Sequence, residues 1–231
     1  MGVAGLKLAS WFLCTLMVDA FKLLDVGPPR TGTQTMHEVM KILGLKPLHT
    51  GYEAESVRPA LCGYLFGNGS LDDALAVFGG YDAAMDEPAM LMYEEIMAAF
   101  PEAKFLLTIS DAESWFENYV ELSRELRATG TISLKAFFHS LPRNCSRMQS
   151  WGCNFANPSP EDKDTCLKSY HRHIQRVQDV IPPERLLVYN WSDGWSALSH
   201  FLGTRIPEEQ FPHEDLVKRN AESHIEERLK A

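Results

Sequence analysis

Apolar positions along this chain fall into short blocks that alternate with stretches of helical spacing. Phe21 to Val26 is a short apolar run that ends at Gly27, and beyond it Met36, Val39, Met40 and Leu43 share one helix face. This predicts a strand, a turn and a helix over 33–43. The same order returns twice. Pro101-Glu102-Ala103 leads into a buried-type strand, Lys104 to Ile109, and Asp111 opens a helix carrying Trp115, Tyr119, Leu122 and Leu126. Pro182-Pro183-Glu184 precedes a strand from Arg185 to Tyr189, and the helix Gly194 to Leu202 that follows is stopped by Gly203. Between these units, Asp164 to Val180 predicts a long polar helix with Leu167, Ile174, Val177 and Val180 as its inner stripe. Strands alternating with helices imply α/β architecture, with a central parallel sheet covered on both faces.

Composition narrows the class. A chain of 231 residues with 45% hydrophobic content buries one substantial core, and no repeat or linker divides it. Residues 21–231 therefore read as one domain. Met85, Met90, Met92 and Met97 read as core. The net charge of −9 repels anions, so an anionic ligand needs a local positive pocket and nucleic acid is not an expected partner.

The first 20 residues are read separately. Leu8 to Val18 is apolar apart from Ser10 and Thr15, with Lys7 before it and small residues after it. About 20 residues are needed to span a bilayer, so the run suits a cleaved signal peptide or a short N-terminal anchor; a packed helix of a cytoplasmic protein is the alternative. Three glycosylation sequons begin at Asn68, Asn144 and Asn190. Removing the leader removes Cys14 and leaves Cys62, Cys145, Cys153 and Cys166, an even number suited to disulfides in the secretory pathway. Membrane contact is expected only if residues 1–20 stay as an anchor. No CxxC pair or Cys/His spacing suggests a metal.

The candidate chemistry sits in the first strand-turn-helix unit. Gly27-Pro28-Pro29-Arg30-Thr31-Gly32-Thr33-Gln34-Thr35 has the traits of an anion cradle: a glycine turn, a basic residue, and hydroxyls opening a helix whose first amides point outward. With this loop the fold class becomes a three-layer P-loop fold. Gly27 and Gly32 have the spacing of a nucleoside triphosphatase loop, but Thr33 stands where its lysine should be and Gln34 where its magnesium-binding hydroxyl should be. A nucleotide phosphotransferase is disfavoured on that ground.

With its cation moved to Arg30, the loop resembles that of the sulfotransferase-like P-loop family. The resemblance extends through His49-Thr50-Gly51-Tyr52-Glu53, Asp86-Glu87-Pro88, Phe100 to Thr108, Trp115, Asp193-Gly194-Trp195, Phe201-Leu202-Gly203 and Phe211-Pro212-His213. It implies transfer of a sulfuryl group from 3′-phosphoadenosine-5′-phosphosulfate to a hydroxyl or amine of a small acceptor, with no metal. It further implies that Arg30, Thr33 and Thr35 meet the donor's 5′-phosphosulfate. Glu53 is the first candidate for the base and His49 the second, with Asp86 able to orient the acceptor or the base.

One departure bears on activity. In the family this strand ends in an arginine and a serine follows eight residues later, both holding the donor's 3′-phosphate. Here Ser110 and Asn118 stand at those positions. A lost charged contact costs about 1.5–3 kcal/mol. Arg124, Arg127, Lys218 and Arg219 are candidate replacements, and the charged tail Glu214 to Lys230 reads as a surface helix able to cover the donor. A non-catalytic relative that keeps the fold and a nucleotide pocket is the alternative reading.

Overall fold

A computed structural model describes residues 21–50, 54–128 and 160–212. Five parallel strands form one sheet: β1 (Leu23–Asp25), β2 (Pro47–His49), β3 (Ala83–Met85), β4 (Lys104–Thr108) and β5 (Leu186–Tyr189), in the order β2-β3-β1-β4-β5. Seven helices accompany it among the described residues: α1 (Thr33–Ile42), α2 (Ala54–Phe66), α3 (Leu71–Ala76), α4 (Tyr93–Ala99), α5 (Ala112–Ala128), α6 (Lys163–Val180) and α7 (Gly194–Leu202).

Alternation along the central strands divides the core into two layers. Leu24, Val26, Phe105 and Leu107 face one side with Val57 and Leu61 of α2, Ile96 of α4 and Val177 of α6. Leu23 and Leu106 face the other with Met36, Val39 and Met40 of α1 and Leu198 of α7. Two-sided burial is why these strands read as unbroken apolar runs. The three-layer arrangement expected from the sequence is the one found.

Boundaries and faces differ in detail. β1 is shorter than the run Phe21 to Val26, and Arg185 lies in a 3-10 turn before β5, where its guanidinium donates to the carbonyls of Ala103 and Phe100. β3 has no sequence signal of its own, since Ala83-Ala84-Met85 lacks the β-branched residues that mark strands. The inner line of α6 is Cys166, Tyr170, His173 and Val177, while Leu167, Ile174 and Val180 are half-buried beside it. Polar side chains take the inside because each finds a backbone partner there. Of the methionines, Met85, Met90 and Met92 are buried in the core. Asp111 caps α5 by accepting from Ser114 N at 2.9 Å, and Gly203 ends α7 in a left-handed conformation, φ 72°.

No helix among the described residues is long and apolar enough to cross a membrane. Residues 1–20, Glu53, Asn144, Cys145, Cys153, the side chains of Leu122, Leu126 and Arg127, and the tail with Lys218 and Arg219 lie outside the described residues.

Candidate active site

The loop 26–32, His49, Asp86 and Ser110 all sit at the carboxyl ends of strands, the position where open α/β sheets bind ligands. β1 runs into the loop 26–32, β2 ends in His49, β3 runs into Asp86-Glu87, β4 into Ser110 and β5 into Asn190-Trp191.

The loop is held from below by its carbonyls. Val26 O accepts from His173 Nε2 at 2.8 Å, Pro28 O from Thr31 Oγ1 at 2.7 Å, Pro29 O from Trp115 Nε1 at 2.9 Å and Thr31 O from Trp191 Nε1 at 2.8 Å. Two of the loop's residues are prolines with no N–H to give. Gly27 N and Thr31 N donate within the protein, to Asp25 Oδ1 and Pro28 O, whereas the first amides of α1, Thr33 and Gln34, have no carbonyl within the helix to bond. Gly32, φ 99°, precedes α1 and lies so close to Trp191 that a Cβ there would fall 2.0 Å from the indole ring. Glycine is required at this position by both backbone and space.

Beneath the loop lies a line of four groups. Thr31 Oγ1 and Thr108 Oγ1 are 2.8 Å apart, and Thr108 Oγ1 is 3.0 Å from Asp25 Oδ1, which also accepts from Gly27 N at 2.9 Å. Burial pushes the fully enclosed Asp25 carboxyl up to about 7. Gly27 is required here too, because a Cβ would fall 1.9 Å from Thr108 Oγ1. Thr31, an expected donor ligand, thus spends its hydroxyl and its amide inside the loop.

Arg30 has a left-handed backbone, φ 72°, and its buried Nε has no hydrogen-bond partner among the described residues. Gln34 Oε1 and Ser110 Oγ are likewise buried and unpartnered. The Tyr170 hydroxyl clamps the Ser110 backbone, accepting from its N–H at 3.0 Å and donating to its carbonyl at 2.9 Å, so only the Ser110 side chain is left for a ligand. These atoms fit an anion with oxygens to share: a cation and a hydroxyl that the fold leaves unanswered. Asn118 is exposed two turns into α5, and Arg124 is exposed one to two turns further on.

A second cluster adjoins the loop. His49 Nε2 lies 3.3 Å from Thr33 Oγ1, and His49 Nδ1 lies 3.6 Å from Asp86 Oδ2. Asp86 holds a left-handed backbone, φ 70°, the other non-glycine residue besides Arg30 to do so among the described residues. Strained backbone at both places marks positions that the surrounding fold enforces. Burial raises the pKa of the Tyr119 hydroxyl above its ordinary value, and the charges of Glu87 and Asp86 add to the rise while Arg30 opposes it. Among the described residues no group of three or more His, Cys, Asp or Glu is arranged to hold a metal ion.

One finding decides the family: a match to the sulfotransferase domain over residues 22–219. The chain belongs to the sulfotransferase family. A curated relative, Ava biosynthesis cluster protein M of Aspergillus versicolor, is 30% identical over 225 residues, covering 88% of this chain and 84% of that protein. Among solved structures, a sulfotransferase from Alicyclobacillus acidocaldarius is 16% identical with a TM-score of 0.46, covering 88% of this chain and 90% of that one.

Three structural residues escaped the sequence reading: Trp191, Tyr170 and His173. Each bonds to a distant backbone, Trp191 and His173 once and Tyr170 twice, an arrangement that leaves no local spacing to find.

Proposed function

We propose that this sulfotransferase-family protein moves a sulfuryl group from 3′-phosphoadenosine-5′-phosphosulfate to a hydroxyl or amine of a small acceptor. The observation that carries the reading is the loop itself, with its carbonyls bound by distant side chains, the N-terminus of α1 at its end, and Arg30 Nε buried without a hydrogen-bond partner among the described residues. Arg30 would meet the negative charge that develops on the leaving phosphate as the S–O bond breaks, an interaction that strengthens in the transition state. The helix N-terminus adds amides and a favourable dipole. As the acceptor oxygen or nitrogen bonds to sulfur, its proton passes to His49, poised between Thr33 and Asp86. Asp86 would stabilise the imidazolium so formed. Glu53, four residues along, is the other base in this proposal. Adenosine 3′,5′-bisphosphate leaves.

A small-molecule acceptor is supported by a relative whose name assigns it to a biosynthesis cluster. Passage through the secretory pathway is supported by disulfide bonds at Cys62 and Cys166 and by exposure of the sequon residue Asn68. Ser110 favours a second reading, a non-catalytic protein that keeps the nucleotide pocket, since no arginine answers the 3′-phosphate there.

Calorimetric titration with adenosine 3′,5′-bisphosphate tests the donor site, with adenosine 5′-monophosphate and Arg30→Ala as controls. Binding should need Arg30, whose loss should weaken it roughly tenfold to 150-fold, the worth of a charge-assisted hydrogen bond. Equal affinity for both nucleotides would remove the proposed donor, and no nucleotide binding at all would overturn the enzymatic reading.

A further inference from the structure

We propose that Arg58 recognises the acceptor, pairing its guanidinium with a carboxylate on the molecule that receives the sulfuryl group. This rests on the sulfuryl-transfer reading and adds a substrate class to it. Arg58 stands on the second turn of α2 and is only 7% exposed. Its Nη2 donates to Glu87 O at 3.0 Å, while Nε and Nη1 have no partner. No carboxylate among the described residues comes within ion-pair distance of it. Among the described residues this buried guanidinium is answered by one carbonyl and no carboxylate, an arrangement that costs stability. An anion from outside removes the penalty.

The location identifies which anion. β3 lies between β2, which ends in His49, and β1, which ends in the loop. Glu87, which Arg58 holds, is the second residue past β3, and the first is Asp86, 3.6 Å from His49. Arg58 is therefore tied to the segment between the proton-accepting histidine and the sulfuryl donor, on the side away from Ser110 and β4. Arg30 serves the donor. A second cation, bonded to Glu87 next to the Asp86 that adjoins His49, suits the acceptor, and at a net charge of −9 an anionic acceptor needs such a local cation to approach at all.

The test uses benzoate and its neutral isostere benzamide as probes, titrated into the purified full chain with and without saturating adenosine 3′,5′-bisphosphate. Wild-type protein should bind benzoate more tightly than benzamide. Arg58→Met should erase that preference, a loss of roughly tenfold to 150-fold for benzoate, while nucleotide affinity stays as it was. Should Arg58→Met fail to fold, Arg58→Lys is read instead: it keeps the charge but loses the planar fork, and the preference should shrink. Three results overturn the assignment: benzoate and benzamide binding alike to wild type, a preference unchanged in the variants, or nucleotide binding lost with Arg58. The last would give the guanidinium to a donor phosphate. If the nucleotide fails to bind but the benzoate preference appears and disappears with Arg58, the donor reading fails alone.

Discussion

Replacing Asp25 by asparagine should flatten the pH dependence of stability, and the reason lies in the burial of its carboxyl. When ionised, Asp25 Oδ1 accepts from Gly27 N at 2.9 Å and from Thr108 Oγ1 at 3.0 Å. These bonds do not offset its complete removal from water, and burial raises its pKa from the ordinary 3.8 to about 7. A carboxyl whose folded-state pKa is raised keeps a proton that the unfolded chain releases, so stability falls as pH rises from about 4 to about 7 and is level above that. About three units at about 1.4 kcal/mol each amount to on the order of 4 kcal/mol. Asparagine copies the neutral acid: its oxygen accepts from Gly27 N, and its amide donates to Thr108. Urea unfolding of wild type and Asp25→Asn at intervals from pH 4 to pH 8 measures the effect. The variant should gain on wild type steadily up to pH 7 and hold its lead above it. Parallel curves would falsify the account of a neutral Asp25, and a variant that loses ground as pH rises would show that the ionised form supports the loop.

Three further outcomes are expected. Gly27→Ala drives a Cβ into both Thr108 Oγ1 and, at 2.6 Å, the Thr108 carbonyl, which cannot rotate away, so it should cost about 1–3 kcal/mol in denaturant titrations and abolish bisphosphate binding. His49→Gln should lower kcat by roughly 10²–10⁴-fold and remove the corresponding limb of the pH–rate profile while leaving the bisphosphate Kd unchanged; a change confined to Kd would make His49 a structural residue. Protein from a eukaryotic host should shift in mobility after glycosidase treatment, and Asn68→Gln should reduce that shift, because the Asn190 carboxamide is engaged in capping the turn at Ser192; no shift in the wild type removes the secretory reading.

Part of the candidate site was legible from local order: Gly27, Arg30 and Gly32 stand a few residues apart on one turn, and His49 ends β2. Asp86 came from the family resemblance and not from a strand pattern. β3 was not legible, since three small residues carry no strand signal and are placed by their neighbours on both sides. The face of α6 was misread by one row for the same kind of reason. Periodicity ranks Leu167 and Ile174 as inner residues, whereas hydrogen bonds to Ser110 and Val26 bring Tyr170 and His173 inside.

What the sequence hid most completely is the support of the loop. Trp115 and Trp191 lie 86 and 160 residues from the carbonyls they hold, and His173 lies 147 from its own. Large aromatic residues at such positions look like core; Trp115 and His173 are buried in it and Trp191 packs half-buried against it. Yet each also places one N–H against a carbonyl of the loop, so the same side chains pack the core and set the shape of the loop. Loosening any one of them should weaken nucleotide binding before it unfolds the protein, since one hydrogen bond, about 1 kcal/mol, is small against the whole fold.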